Sequence, residues 1–470
     1  MITMSLGVHE PYILGKIECA EAALGGGDVA QARWILDDLV EYGLRHYILE
    51  TSQDVEKFGP RYQQALVHLH QDDILHNLDI ADAKLEVADV FRLYGERFRQ
   101  KNRLSSAQLK VMRHIVICRS AVLGGHIEQC NLCGFERISY NSCRDRHCPK
   151  CQTLVKEKWL DDRKSELLPC GYFHLVFTLP HDLNPIILCN KKVALGILFA
   201  AVNQTLQAFA KDPQWRLEGQ LGFILVLHTW SQTLMDHFHL HCLVPGGALS
   251  FEKDRWIPAK RSFLFRIKSL AKEFKKQYIS LLKTAYAKDE LIFPGNTAQY
   301  ESREKFDLLI QSVSKSKWIA YAKRPFAGPL QVLEYLGRYT HRIAISNHRI
   351  KSIDNGKVVF TYRDRADNNE LKEMTLTAEE FIRRFLLHVL PKKFMKIRYF
   401  GFLSNNNKRQ AVQLIRRLMG SDAVLPEKQN ETVIEMIFRL TGEDITCCPE
   451  CKKGKMGVVK KLPNQYWNSS

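Results

Sequence analysis

Apolar and polar positions alternate along this chain in patterns that predict helices near its start. Apolar residues recur at i, i+3 and i+4 in 29–49 and again in 75–99, the spacing of one face of an amphipathic helix. Three successive glycines at 25–27 predict a turn ahead of them. Residues 1–100 are therefore predicted to form a helical N-terminal region.

The middle of the chain alternates strand patterns with helix patterns. Short apolar runs predict strands, and longer periodic runs predict helices. The predicted strands are 172–180, 222–228, 237–245 and 318–323. The predicted helices are 153–168, 192–211, 263–287 and 330–339, and a hairpin is predicted from 342–350 and 357–363 around Asp354-Asn355-Gly356. The order strand, helix, strand, strand predicts an α+β fold, in which helices cover one face of an antiparallel sheet.

Composition adds a candidate partner to this picture. The 470 residues carry a formal net charge of +17 and a pI of about 9.2, a balance that favours nucleic acid or an anionic membrane surface. The start of the chain lacks the pattern of a signal peptide. The longest apolar stretch, 193–202, is shorter than the ~20 residues of a membrane span. We expect a soluble cytoplasmic protein that binds DNA and associates with the nucleoid when bound.

Two CxxC pairs indicate zinc. Cys130 and Cys133 form the first pair, Cys148 and Cys151 form the second, and fourteen residues lie between the pairs. This spacing is typical of a tetrahedral zinc site with four thiolate ligands. Such small domains have little core and fold with their metal, whose apparent binding energy is about 10–16 kcal/mol. We therefore predict one structural Zn²⁺ here.

Further cysteines and histidines surround these pairs. One interpretation is a second zinc site; the other is core cysteines with surface histidines. The residues concerned are Cys118, His126, Cys143 and His147. Cys448 and Cys451 form half a site and stay unassigned, unless a residue such as Cys447 completes it. Arg144, Arg146 and Lys150 predict a DNA-contacting surface beside the cluster.

The strand 237–245 carries a second candidate metal site. His239 and His241 are i and i+2 on a strand, so their imidazoles share one face. A divalent ion held there would polarise a phosphate, and phosphate chemistry favours Mg²⁺ or Mn²⁺. His237 with His239 is the alternative pair. The third ligand is left open among Gln331, His228, Gln232, Glu334 and His341.

Two tyrosines complete a candidate nicking site. Tyr335 and Tyr339 are i and i+4 on a predicted helix, so both phenols face one side. Tyrosine can attack a phosphodiester and conserve its bond energy in a phosphotyrosine link. Core packing is the alternative role for such a pair.

The C-terminal part, predicted to be helical, is strongly basic. Ten Lys or Arg residues and no Asp or Glu lie in 382–418, among them Lys392, Lys393 and Lys396. Aromatic residues interleave with them: Phe385, Phe394, Tyr399, Phe400 and Phe402. Basic groups with aromatics are typical of single-stranded DNA binding. A solvated helix face with core aromatics is the alternative.

Several motifs together resemble the transposases of the insertion sequence 91 family, which are two-tyrosine members of the His-hydrophobe-His (HUH) endonuclease superfamily. The resemblance covers about 87–403. Its motifs are Ala88-Asp89-Val90-Phe91 with Tyr94-Gly95, Leu123-Gly124-Gly125-His126, Asn141-Ser142-Cys143-Arg144-Asp145-Arg146-His147-Cys148-Pro149-Lys150-Cys151-Gln152, Phe177-Thr178-Leu179-Pro180, His228-Thr229-Trp230, His239-Leu240-His241-Cys242-Leu243-Val244, Tyr335-Leu336-Gly337-Arg338-Tyr339-Thr340-His341-Arg342 and Arg398-Tyr399-Phe400-Gly401-Phe402. The resemblance implies an HUH-endonuclease-like sheet and a rolling-circle transposase. It also implies that both tyrosines are nucleophiles, that a 5′-phosphotyrosine intermediate forms, and that single-stranded element ends and a target site are the partners.

The sequence thus predicts four regions: a helical N-terminal region at 1–100, a zinc-binding domain at 101–168, a catalytic domain at 169–365 and a basic helical C-terminal region at 366–470. No GxxxxGK[ST] phosphate loop is present, so we expect no use of ATP. Two other functions remain open from the residues. One is a plasmid replication initiator or relaxase of the same chemistry. The other is a zinc-dependent DNA-binding protein with an inactive nuclease site.

Overall fold

The computed structural model of the protein describes residues 85–164, 166–259, 264–326, 337, 343–364, 367–420 and 431–466. All of them belong to one compact unit, Leu85–Ser470. The predicted helix at 29–49, the glycine turn and nearly all of the predicted tyrosine helix lie outside the described residues. The four-region division remains a prediction.

Ten α-helices and fourteen strands are numbered here in chain order within the described residues. The helices are α1 Val87–Lys101, α2 Ser106–Ile117, α3 Gln152–Lys164, α4 Asn184–Cys189, α5 Lys191–Lys211, α6 Ile267–Ala287, α7 Arg303–Lys315, α8 Ala378–Leu387, α9 Lys408–Leu418 and α10 Val433–Thr441. The strands are β1 Gly125–Cys130, β2 Glu136–Tyr140, β3 Tyr172–Thr178, β4 Gly219–Gln220, β5 Gly222–Trp230, β6 Asp236–Pro245, β7 Gly247–Ser250, β8 Trp256–Pro258, β9 Ile319–Phe326, β10 Ile350–Asp354, β11 Lys357–Asp364, β12 Glu370–Thr377, β13 Ile397–Gly401 and β14 Met456–Leu462. The mixture of helices and antiparallel sheets confirms the predicted α+β class.

A five-stranded antiparallel sheet forms the centre, with strand order β13-β5-β6-β3-β9. Each of the four predicted strands is present in it. The fifth strand, β13, comes from the C-terminal region that the sequence predicted to be helical. That prediction was wrong at β13 because a five-residue strand is too short to show a clear period.

The two faces of this central sheet differ in chemistry because successive side chains point to opposite sides. From Phe238 onward the even residues of β6 are apolar and enter a large core shared with α5 and α6: Phe238, Leu240, Cys242 and Val244. The odd residues include His239 and His241. We call this second side the histidine face.

Helix α5 (Lys191–Lys211) is, in the described part of the chain, the helix that is long and apolar enough to cross a membrane. Half of its most apolar window is buried inside the protein, and Leu195, Leu198 and Phe199 belong to the core that it shares with α6. A core helix of a globular domain has these same properties, so α5 is weak evidence for a membrane segment.

The predicted hairpin at 342–363 is present, but its first strand begins later than expected. Strand β10 pairs with β11 around Asn355 and Gly356, whose φ angles are +47° and +72°. Positive φ at both central residues is the mark of a type I′ turn, which Asn-Gly favours. Strand β12 adds a third strand that the sequence did not predict.

The end of the chain returns to the zinc-binding region. Strand β14 pairs antiparallel with β1, and β1 pairs with β2, so the sheet order is β14-β1-β2. Cys130 therefore lies opposite Met456 although more than three hundred residues separate them in sequence. This pairing brings the C-terminal CxxC beside the first one.

Candidate metal centres and catalytic face

Three imidazoles meet on the histidine face of the central sheet. His228 on β5 pairs with His239 on β6, and His241 follows two residues later on the same side. Their ligand nitrogens all lie within 4.8 Å of one another. All three side chains are buried, between 3% and 7% exposed. We call these residues the histidine cluster.

Hydrogen bonds select the nitrogen that each imidazole can offer. His239 Nδ1 lies 2.8 Å from the carbonyl oxygen of His237, which can only accept, so Nδ1 carries the proton and Nε2 is the ligand atom. His241 Nδ1 lies 2.9 Å from Nε2 of the buried His174. If His241 binds through Nε2, its Nδ1 donates to His174. A second partner of this kind commonly fixes the orientation of a metal-binding histidine.

These donors fit a divalent cation. Three neutral imidazoles are typical ligands of transition ions and leave positions open for phosphate oxygens. His228 joins the two predicted ligands, and it was among the candidates for the third. Gln331, Glu334 and His341 lie outside the described residues.

The two tyrosines lie outside the described residues, but Gly337 between them is described. It is helical and buried, and a Cβ added to it would lie 2.7 Å from Leu160 Cδ1 and 3.2 Å from Lys156 Cε. Gly337 therefore packs closely against α3. Helix α3 also lies over the histidine face, where Arg163 donates to the hydroxyl of Tyr399.

The structure groups the cysteines differently from the prediction. Four thiols form one cluster: Cys118, Cys143, Cys148 and Cys151. Four others form a second cluster: Cys130, Cys133, Cys448 and Cys451. We call them the Cys118 cluster and the Cys130 cluster. The predicted zinc site made of the two neighbouring CxxC pairs was wrong. Because β1 pairs with β14, Cys130 and Cys133 lie beside Cys448 and Cys451 and not beside Cys148.

The sulfur spacing fits zinc in both clusters. A tetrahedral ion with bonds of about 2.3 Å places its sulfur ligands about 3.8 Å apart. Cys118 and Cys143 lie 3.4 and 3.6 Å from Cys151 Sγ. The Cys130–Cys451 and Cys133–Cys448 pairs are both 3.7 Å apart. A disulfide would need about 2.05 Å.

Main-chain N–H groups also favour thiolates in these clusters. Leu132 N–H donates to Cys130 Sγ, and Gly454 N–H donates to Cys451 Sγ. The main-chain hydrogen bond from Cys133, and after it the one from Leu132, lowers the pKa of Cys130, and the main-chain hydrogen bond from Gly454 lowers the pKa of Cys451 to about 6. A lowered pKa favours the form that binds metal. The chemistry of both donor sets therefore suits structural Zn²⁺.

The predicted histidine ligands of a second zinc site are not in either cluster. His126 Nε2 lies 3.5 Å from Glu128. His147 lines a cleft together with Arg146, His388 and Lys396. Cys447 does not complete the C-terminal pair, since Cys130 and Cys133 do. In the sequence, the lone CxxC at 448–451 was the available signal for this second cluster. Spacing alone cannot pair it with Cys130 and Cys133, which lie more than three hundred residues earlier.

The six predicted DNA-contacting residues fall into two groups. Arg144, Lys392 and Lys393 are exposed. Arg146 donates to the carbonyl oxygens of Phe394 and Pro391, and Lys150 pairs with Glu86 at 2.5 Å. Lys396 lines the cleft beside Arg146, and burial lowers its pKa to about 8. The second group therefore has structural partners within the protein.

The aromatic residues interleaved with these lysines pack inside the protein. Phe385, Phe394 and Phe402 are buried in three different core clusters, and Phe400 and Tyr399 pack against two of them. This favours the alternative of core aromatics over base stacking for that segment.

Comparisons with known proteins agree with these features. The family described as "Putative transposase" matches residues 222–411, and the family described as "Transposase zinc-binding domain" matches 90–179. The chain is similar to "Putative transposase y4qJ" of Sinorhizobium fredii, at 44% identity over 82% of this chain and 98% of that protein. It is also similar to "Transposase for insertion sequence element IS801" of Pseudomonas savastanoi pv. phaseolicola, at 27% identity over 64% of this chain and 72% of that protein. No solved structure matches.

Proposed function

Because this chain belongs to the insertion sequence 91 family of transposases, we propose that it nicks single-stranded DNA at the ends of its element through a 5′-phosphotyrosine intermediate. It then transfers the strand to a target site by a rolling-circle mechanism. Its partners are single-stranded element ends and target DNA in the cytoplasm.

The observation that supports this proposal most is the histidine cluster. It gathers three buried imidazoles from two neighbouring strands on one face of the sheet. Imidazoles placed for core packing do not need to converge with their nitrogens within 4.8 Å. His239 and His241 would hold a divalent ion such as Mg²⁺ or Mn²⁺, with His228 as the third ligand. That ion would neutralise charge on the scissile phosphate.

Tyr335 and Tyr339 are the proposed nucleophiles. The phenol oxygen of one tyrosine attacks phosphorus and loses its proton, and the bond from phosphorus to the 3′ oxygen breaks. The departing 3′ hydroxyl takes up a proton, and the 5′ phosphate remains on tyrosine. The reverse attack by a 3′ hydroxyl restores a phosphodiester and needs no ATP, because the bond energy is conserved.

A nicking assay on single-stranded oligonucleotides tests this function. The wild type should form a protein–DNA adduct that survives denaturing electrophoresis, in the presence of Mn²⁺ or Mg²⁺. His239→Ala and His241→Ala should lose nicking and keep DNA binding, because each removes one ion ligand from a preformed sheet. His237→Ala is the matched control, since it lies on the same strand and outside the cluster. Wild-type nicking by either cluster variant would overturn the metal assignment.

A further inference from the structure

Strand β9 shows an unusual pattern for the edge of a sheet. It pairs with β3, and no other described strand lies along its other side. Trp318, Ala320 and Ala322 pack into the large core. The alternate residues Ile319 and Tyr321 are each 50% exposed. An apolar pair is thus displayed on an edge strand.

This pair lies on the histidine face. Ile319 is opposite Thr178, which is opposite His239. Tyr321 is opposite Val176, which is opposite His241. Directly paired residues point to the same side of a sheet, and neighbouring strands are about 4.8 Å apart. The main chain at Tyr321 is therefore about 10 Å from that at His241.

An exposed apolar edge strand carries a cost. Its open backbone groups and apolar side chains invite pairing with other chains, and proteins usually protect such edges with charge, proline or a covering segment. Exposed lysines lie just before β9, at Lys315 and Lys317. Their charge protects the edge from pairing with other chains, but it does not explain why Ile319 and Tyr321 are exposed on one face of β9.

We propose that Ile319 and Tyr321 form a stacking platform for a nucleobase of the single-stranded substrate, beside the phosphate held at the histidine cluster. This proposal rests on the nicking function proposed above. An aromatic ring accepts any base because every base has a π-face, and neighbouring lysines attract the backbone phosphates. The platform continues the face of the histidine cluster, which places a base within one or two nucleotides of the scissile phosphate.

Single-stranded DNA suits this surface better than a protein strand does. The chain has a net charge of +17, and Lys315 and Lys317 lie at the beginning of the edge, so an anionic partner is favoured. A duplex keeps its bases stacked on one another and cannot offer a free base face to Tyr321. Discrimination between single and double strands is therefore the expected property of the platform.

Binding measurements on the full chain test the platform. Fluorescence anisotropy would follow a labelled single-stranded oligonucleotide and the matching duplex, both without added Mn²⁺ or Mg²⁺ so that no nicking occurs and the structural zinc ions stay bound. Stacking on aromatics is worth about 1–3 kcal/mol per base, which corresponds to roughly 5- to 150-fold in affinity. Tyr321→Ala should weaken single-strand binding by a factor in this range and leave duplex binding unchanged. Tyr321→Phe should bind like the wild type, because it keeps the ring.

Phe251→Ala is the matched control. Phe251 is also 50% exposed, but it lies in the turn after β7, a strand of a different sheet. This variant should bind single strands like the wild type. Equal loss in Phe251→Ala and Tyr321→Ala, or no loss in Tyr321→Ala, would overturn the platform. So would a change of oligomeric state in Tyr321→Ala without a change in DNA affinity, because the edge would then bind protein.

The platform and the nicking function fail in different ways. If the wild type forms the covalent adduct and Tyr321→Ala binds single strands normally, the platform is wrong and the nicking function stands. If Tyr321→Ala weakens single-strand binding but the wild type forms no adduct with Mn²⁺ or Mg²⁺, the nicking function is wrong and the stacking contact stands.

Discussion

Replacing Gly454 by alanine should remove one zinc ion from the protein. Gly454 lies in the turn that begins β14, and its N–H donates to Cys451 Sγ at 3.3 Å. A Cβ at this position would lie 2.3 Å from Cys130 Sγ and 3.0 Å from Asn131 Oδ1. The sulfur would have to retreat by about 0.7 Å to reach even 3.0 Å, whereas zinc–ligand distances tolerate about 0.2 Å. The Cys130 cluster would therefore lose its tetrahedral geometry.

Metal analysis of the purified protein measures this effect. The wild type should hold two zinc ions per chain, one in each cysteine cluster, and Gly454→Ala should hold one. Gly457→Ala is the matched control, because Gly457 lies exposed on β14 three residues further along the chain and an added Cβ meets nothing within 4 Å. It should keep two ions. If Gly454→Ala retains both ions with unchanged resistance to a chelator, the shared cluster is wrong.

Three further predictions follow from buried or exposed side chains. His174→Leu should weaken Mn²⁺ binding, measured by electron paramagnetic resonance, because it removes the partner of His241 Nδ1. His174→Gln should restore part of the affinity, because its amide oxygen can accept from His241 Nδ1. Equal Mn²⁺ affinities in the two variants would exclude a role for this hydrogen bond. Neutralising the exposed Lys392 and Lys393 should lower the salt dependence of single-strand binding by about 0.7 per lost phosphate contact, whereas an unchanged slope would place the DNA elsewhere. Burial lowers the pKa of His388 from 6.5 to about 4, so as the pH falls the imidazole is protonated in the unfolded chain before it is protonated in the folded protein. The free energy of unfolding should therefore decrease between pH 6.5 and 4. Denaturant titrations of His388→Gln should show a smaller decrease over this range.

The central sheet could be predicted from sequence because its strands carry strong local patterns. The run 237–242 alternates histidine with apolar residues, and in the structure the two sets point to opposite faces of β6. The three other predicted strands belong to the same sheet. His239 and His241 could be paired because i and i+2 share a face of any strand.

Contacts between distant segments could not be predicted in the same way. His174 has an apolar neighbour on each side, and only the register of β3 against β6 brings it to His241. The Cys130 cluster depends on β14 pairing with β1, and nothing local to Cys448 indicates that pairing. From the spacing we predicted that the two neighbouring CxxC pairs share one ion. In the structure each of these pairs belongs to a different cysteine cluster.

The most direct test of the account is to identify the residue that carries DNA. A single-stranded oligonucleotide spanning an element end would be incubated with the protein and Mn²⁺, the adduct digested with protease and nuclease, and the nucleotide-bearing peptide sequenced by mass spectrometry. We predict a 5′ phosphate on Tyr335 or Tyr339 and no adduct in the Tyr335→Phe/Tyr339→Phe variant. An adduct on any other residue, or an adduct that persists in the double variant, would contradict it.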